Sequence, residues 1–194
     1  MLVGILALQG DFAAHAAAVG ELSCPTRLVR TVADFDGLDA IILPGGESSA
    51  MLKLLAQDGL WQRLQEFVRQ QPTFGTCAGS ILMATRVTSP EQASLGVLDA
   101  TVIRNGYGRQ IDSSIRHAQV TPAFIESLKT SQLETVLIRA PQFRDLGPKV
   151  EVVATMDKEP VLLRQGRCLA ASFHPELSSD RTIHRWFLDN FLGL

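Results

Sequence analysis

Phe74-Gly75-Thr76-Cys77-Ala78-Gly79-Ser80 is the stretch on which the reading of this chain turns. It has the form G-x-C-x-G. Thr73 to Thr76 reads as the end of a strand, and Ser80 to Thr85 begins a helical pattern. With serine at its centre, the same spacing makes a strained strand-to-helix turn that raises a nucleophile above a sheet. Glycines two residues to either side let the backbone pass close to itself, because a Cβ there would clash. The turn sets the Cys77 thiol at the C-terminal edge of the sheet, where open α/β sheets bind ligands. A helix N-terminus also favours the thiolate, which is the reactive form. Cys24 and Cys168 have no such frame and read as packing residues.

Outward from this turn, apolar runs alternate with helical patterns. Leu2 to Leu8, Thr26 to Arg30 and Asp39 to Leu43 read as strands, and Asp11 to Leu22 as an Ala-rich helix. Met51 to Gln70 carries apolar residues at helical spacing and reads as two helices broken at Asp58-Gly59. Nearly continuous apolar strands alternating with helices predict a parallel sheet covered on both faces. Further on, Val97 to Arg104, Gln119-Val120, Thr135 to Arg139, Val150 to Thr155, Val161 to Arg164 and Cys168 to Phe173 look like β segments without long helices between them. They predict antiparallel additions at one edge. Asp180 to Phe191 reads as the last helix, with Asp180 as its N-cap. The fold expected is three-layer α/β: a mostly parallel central sheet, helices on both faces and antiparallel edge additions.

The 194 residues read as a single domain, 1–194, large enough to bury a core without disulfide or structural metal. Apolar residues make up 46% and charged ones 20%, as in an ordinary globular protein. A net charge of −2, with scattered basic residues, gives no reason to expect nucleic acid or an anionic membrane as partner. The apolar opening Met1 to Leu8 is too short to span a bilayer and has no basic stretch before it. A cytoplasmic protein with three free thiols is expected. No CxxC or zinc-type ligand cluster occurs, so neither metal nor other cofactor is expected.

A cysteine nucleophile needs a base and a group that fixes the base's tautomer. Of four histidines, His15 and His184 lie in helical patterns and His117 in a segment of uncertain structure. His174 ends an apolar run in Ser172-Phe-His-Pro-Glu176. Pro175 stops the strand and keeps His174 extended. Glu176 would then lie on the same side as His174 and accept a hydrogen bond from its far ring nitrogen. Cys77, His174 and Glu176 are the expected catalytic residues. Pro44-Gly45-Gly46-Glu47-Ser48 follows the third strand. Its glycines can aim N–H groups into a cleft, so the oxyanion donors expected are the N–H groups of Gly46 and Ala78. A phosphate-binding loop would require a Lys-Ser/Thr pair that is missing here. Ser48 also reads as an N-cap for the next helix.

Pro-Gly-Gly-Glu-Ser, Gly-Thr-Cys-Ala-Gly and Phe-His-Pro-Glu together resemble the triad (class I) glutamine amidotransferases, whose fold is flavodoxin-like. Gly4 to Gly10, the stretch Arg104 to Ser113, and Ile138-Arg-Ala-Pro141 narrow the likeness to the glutaminase subunits of pyridoxal 5'-phosphate synthase, the PdxT/SNO family. The likeness runs over nearly the whole chain. It implies hydrolysis of L-glutamine to glutamate and ammonia, and passage of the ammonia to a (β/α)8-barrel synthase subunit. Carried onto this chain, the glutamine contacts would be Gly46, Glu47, Ser48, Arg104, Ile138 and Arg139. Two guanidinium groups suit the substrate's α-carboxylate. Gln9 would sit near both the active site and the synthase. The competing readings are a cysteine hydrolase of the same superfamily with another substrate, and a catalytically silent binding module. Ala78, rather than histidine, follows Cys77, and the triad is intact; these features argue against the protease/chaperone-like branch and the silent module respectively.

Overall fold

The computed structural model describes residues 1–104, 106 and 114–194. The first half alternates as expected: β1 (Val3–Leu6), α1 (Phe12–Glu21), β2 (Thr26–Val29), β3 (Ala40–Leu43), α2 (Ser48–Leu55), α3 (Leu60–Gln70), β4 (Thr73–Thr76) and α4 (Ala78–Met83). Gly59, at φ 76°, separates α2 from α3 and serves as the N-cap position of α3. The second half comprises β5 (Ala84–Thr88), β6 (Leu98–Ile103), β7 (Ser114–Val120), α5 (Pro122–Leu128), β8 (Gln132–Leu137), β9 (Gln142–Arg144), β10 (Glu151–Met156), β11 (Glu159–Gln165), β12 (Cys168–Ala171) and α6 (Thr182–Leu192).

Nine strands form one sheet in the order β2-β1-β3-β4-β12-β11-β10-β7-β8. The first five are parallel. The remaining four add antiparallel at the β12 edge. Strands of the parallel part are buried on both faces. In β3, Ala40 and Ile42 face a core with Val19 of α1 and Ile183, Trp186 and Phe187 of α6. Ile41 and Leu43 face the opposite core, with Met51 and Leu55 of α2, Leu64 and Phe67 of α3, and Leu82 of α4. Fully buried aromatic residues such as Phe74 and Phe187 each contribute about 2–3 kcal/mol through burial. This is the three-layer arrangement expected.

Five details differ from expectation. β12 is not an antiparallel addition: it runs parallel to β4 and completes the parallel half. The edge begins one strand later. Residues 80–85 do not continue as a helix, because α4 ends at Met83 and β5, which ends on the β-branched pair Val87-Thr88, pairs with β6. With β9, these strands form a separate three-stranded sheet, β5-β6-β9, so Val97 to Arg104 is not the antiparallel edge addition expected: its strand β6 lies outside the main sheet and pairs parallel with β5. Helix α5 had no counterpart in the sequence reading. Arg181, not Asp180, occupies the N-cap position of α6, although the Asp180 carboxylate accepts from the Thr182 N–H at 2.8 Å.

The order β2-β1-β3-β4-β12 reverses direction between β1 and β3. In doubly wound sheets the crevice at that reversal, outside the strands' carboxyl ends, is where ligands sit. The loops after β1, β3, β4 and β12 carry Asp11, Gly46, Cys77 and His174, and all four residues line one cavity.

Candidate active site

Cys77 stands between β4 and α4 at φ 44°, ψ −105°, a conformation that non-glycine residues avoid. Such strain costs about 1–3 kcal/mol and persists only where surroundings enforce it. Here the Cys77 N–H donates to the Ala171 carbonyl of β12 at 2.9 Å, and Ser80 Oγ donates to the Cys77 carbonyl at 2.7 Å. The flanking glycines allow the turn by close packing. A Cβ on Gly75 would lie 2.7 Å from the Gly79 carbonyl carbon, and one on Gly79 would lie 2.6 Å from that of Leu43. Ala78 is the first residue of α4, so its N–H has no partner within the helix. The other two cysteines are unlike Cys77. Burial pushes the Cys168 thiol up to about 11 and raises Cys24 as well, so neither yields a thiolate at neutral pH.

His174 follows β12, with its N–H bonded to the Val136 carbonyl of β8 at 2.9 Å. Its Nδ1 lies 2.8 Å from Glu176 Oε1, and both side chains are almost fully buried. The expected pairing is present, but the expected reason is not. The chain does not stay extended; Pro175–Leu177 forms a 3-10 turn that swings Glu176 back beneath the ring. Nε2 is left for the thiol. Burial opposes a charge on His174, yet hydrogen bonding and charge from Cys77 and Glu176 outweigh it and raise the ring to about 10. The thiol and the carboxylate thus both favour the charged ring, the form that pairs with a thiolate. Asp11, Oδ2 at 3.8 Å from Nδ1, adds a further carboxylate. Asp11, His174 and Glu176 lie close enough together to hold a cation, but the ring nitrogen they share already forms the hydrogen bond to Glu176.

The cavity is about 260 Å³, below the roughly 300–1,000 Å³ of sites for drug-sized ligands. It suits a molecule of amino-acid size. Gly46, Glu47, Ser48, Arg104, Ile138 and Arg139, all named from the sequence, line it along with Cys77 and His174. Several are committed locally. Glu47, not Ser48, is the N-cap of α2: its carboxylate accepts from the N–H groups of Ser49 and Ala50, each at 3.2 Å. The Ser48 hydroxyl instead donates to Gln92 Oε1 at 2.9 Å. Arg104 donates from Nη2 to Ser49 Oγ at 2.9 Å and lies 3.8 Å from Glu47. The Cys77 thiol lies 4.0 Å from the Ile138 carbonyl, and Arg139 next to it is held at φ 45°. Gln9 Oε1 accepts from the Glu47 N–H at 2.7 Å and so ties the first loop to the glycine loop. Asn105 and residues 107–113, part of the stretch that narrowed the family, lie outside the described residues.

The model of the SNO glutamine amidotransferase family matches residues 5–193. The chain belongs to that family. Among SNO-family relatives, it is 47% identical over 186 residues to the pyridoxal 5'-phosphate synthase subunit PdxT of Solibacter usitatus, covering 96% of this chain and 97% of the relative. It is 46% identical to the protein of that name from Thermus thermophilus, covering 97% and 96%. A solved structure described as a glutamine amidotransferase superposes with TM-score 0.89 at 44% identity, over 99% of both chains. A glutamine amidotransferase from Thermotoga maritima shares the fold, with TM-score 0.63 at 18% identity, over 98% of this chain and 81% of that one. Among the described residues of this SNO-family chain, no helix is long and apolar enough to cross a membrane.

The sequence reading passed over Asp11, His15, His184 and Gln92. None stands in a recognisable motif, and only the fold brings them to the site.

Proposed function

We propose that this chain hydrolyses L-glutamine to L-glutamate and ammonia through Cys77, His174 and Glu176. It would act in the cytoplasm as the glutaminase subunit of a pyridoxal 5'-phosphate synthase, supplying ammonia to a (β/α)8-barrel partner. The observation that carries the reading is the hydrogen bond between His174 and Glu176, beside a strained nucleophile turn that opens on an amino-acid-sized cavity. Family membership and the names of the relatives support the substrate and the partner.

In this mechanism the Cys77 thiolate attacks the side-chain amide carbon of glutamine. The developing oxyanion takes hydrogen bonds from the N–H groups of Ala78 and Gly46. The imidazolium of His174 protonates the departing nitrogen, and ammonia leaves with a γ-glutamyl thioester on Cys77. The now neutral ring takes a proton from water, whose hydroxide attacks the thioester to release glutamate. Glu176 holds Nδ1–H throughout, as the carboxylate does in other triads. Arg104 and Arg139 would fix the α-carboxylate. The test is glutamine turnover with the synthase present; Cys77→Ala turning over near the wild-type rate would refute the reading.

The glycine loop offers a point of control. The Gly45 carbonyl accepts from the Asp11 N–H at 3.2 Å, and Gly46 sits at φ 151°, open to glycine. Docking of the synthase would break one hydrogen bond and turn this peptide to complete the oxyanion site. Equal turnover by the complex and by the glutaminase alone would argue against this control.

A further inference from the structure

Glu176 offers His174 only one of its two oxygens. The other, Oε2, is buried and makes no hydrogen bond among the described residues. Its close neighbour is His15 Nε2 of α1 at 3.3 Å, and that nitrogen also lies 3.0 Å from Thr76 Oγ1, one residue before the nucleophile. The other nitrogen of His15, Nδ1, lies 3.0 Å from Nε2 of His184 on α6. His15 and His184 are both 0% exposed. Three histidines and a carboxylate thus run from the cavity through the interior of the molecule.

The proton positions follow from what each atom faces. If His15 carried its proton on Nδ1, it would donate to His184 Nε2 and turn a lone pair toward the carboxylate. His184 would then have to keep its own proton on Nδ1, which is buried and has no hydrogen-bond partner among the described residues. A buried N–H without an acceptor is rarer and costlier than a bare lone pair. With the protons on Nε2 of both rings, His15 donates to Thr76 Oγ1 at 3.0 Å and keeps that N–H beside Glu176 Oε2, 3.3 Å from the ring nitrogen. His184 donates to His15 Nδ1, and only a lone pair goes unmet.

We propose that His15 is a positioning residue: its Nε2–H, directed by His184, holds the free oxygen of Glu176 and so fixes the carboxylate that orients His174. The inference rests on reading Cys77, His174 and Glu176 as the working triad. Burial keeps both supporting rings neutral. His15 lies well below the ordinary histidine value, through burial first and then the charges of His184 and His174. His184 is lowered to about 4, through burial and then Arg181, against the opposing pull of Asp180 and Glu21. A neutral His15 keeps an N–H beside the Glu176 carboxylate without adding a cation that would compete with a charged His174. Among the described residues, Asp11 approaches His174 Nδ1 at 3.8 Å, and Glu47, Arg104 and Arg139 line the same cavity.

The experiment has three readouts. In the complex with its synthase, His15→Leu should lower kcat for glutamine about 10–100-fold, with KM within twofold, since a misplaced catalytic group affects the chemical step rather than binding. His15→Gln, which can present an amide N–H to Glu176, should recover most of the loss. Iodoacetamide alkylation of Cys77 should slow in His15→Leu and recover in His15→Gln, without any need for glutamine. Long-range ¹H–¹⁵N spectra of the wild-type protein should show His15 and His184 protonated at Nε2. Wild-type kcat and alkylation in a folded His15→Leu variant would overturn the proposal, as would a His15 protonated at Nδ1. The spectra decide the matter even if the variants fail to fold. A wild-type protein that does not turn over glutamine, yet shows these tautomers and the alkylation pattern, would refute the glutaminase reading and leave the positioning role standing.

Discussion

A Cβ on Gly45 would lie 2.6 Å from Nδ1 of His174, the nitrogen bound to Glu176. The glycine loop and the candidate base are therefore in direct contact. The loop's conformation and the ring's position are set together, although about 130 residues of chain separate them.

Gly45→Ala must displace the ring or the loop. Turnover of glutamine in the complex should fall about 100-fold, because a shift near 1 Å in a catalytic group costs on that order. The variant should stay folded, since the added group is one methyl in a loop outside the strands and helices. Circular dichroism and steady-state kinetics on the same preparation check both halves. Full activity would show that the ring can move without consequence.

Cys77 should trade stability for its position. Cys77→Gly relieves the φ 44° conformation, and Cys77→Ala does not. The glycine variant should be more stable than the alanine variant by about 1 kcal/mol or more, opposite to the usual ranking of the two residues. Urea unfolding measures the difference. Both variants should lack glutaminase activity.

The buried histidines make stability depend on pH in opposite directions. His184, lowered to about 4, contributes stability that is fully present above its unfolded value near 6.5 and is lost as pH falls toward 4. Relative to His184→Leu, the wild type should lose about 3 kcal/mol over that interval. His174, raised to about 10, contributes stability that is fully present below 6.5 and is lost as pH rises through 10. Relative to His174→Gln, the wild type should weaken on that alkaline side. Urea midpoints at pH 4.5, 6.5 and 10 test both signs.

Arg139 should act on binding. It lines the cavity, is exposed and is held at φ 45°. Arg139→Ala should raise KM for glutamine about tenfold or more, with a smaller change in kcat, as expected for loss of a charged hydrogen bond to a carboxylate. A fall in kcat at constant KM would assign Arg139 to the transition state instead.

The strained turn at Cys77 was legible from seven residues because its requirement is local. Only small residues at positions 75 and 79 allow the turn, and the apolar run before it marks the strand. The parallel half of the sheet was legible for a similar reason: strands buried on both faces lose polar alternation, as Ala40 to Leu43 does. Partnership between strands was not. Cys168 to Ala171 carries the same apolar signal whether it lies parallel to β4 or antiparallel at the edge. Helix α5 is one short turn-flanked segment whose apolar residues, Phe124 and Leu128, fit several readings.

Chemical identity and backbone constraint travel with the chain, so the sequence by itself determined the thiol, its glycine frame, the His-Pro-Glu run and the α/β layering. Which groups meet across the interior was decided only by tertiary structure. The placement of His15 from α1 and His184 from α6 behind Glu176, the commitment of Glu47 to a helix cap, and the pressing of Gly45 against His174 each depend on contacts between segments far apart in the chain. Such contacts leave no periodicity or spacing to read, because the burial that makes them favourable exists only once the sheet has assembled.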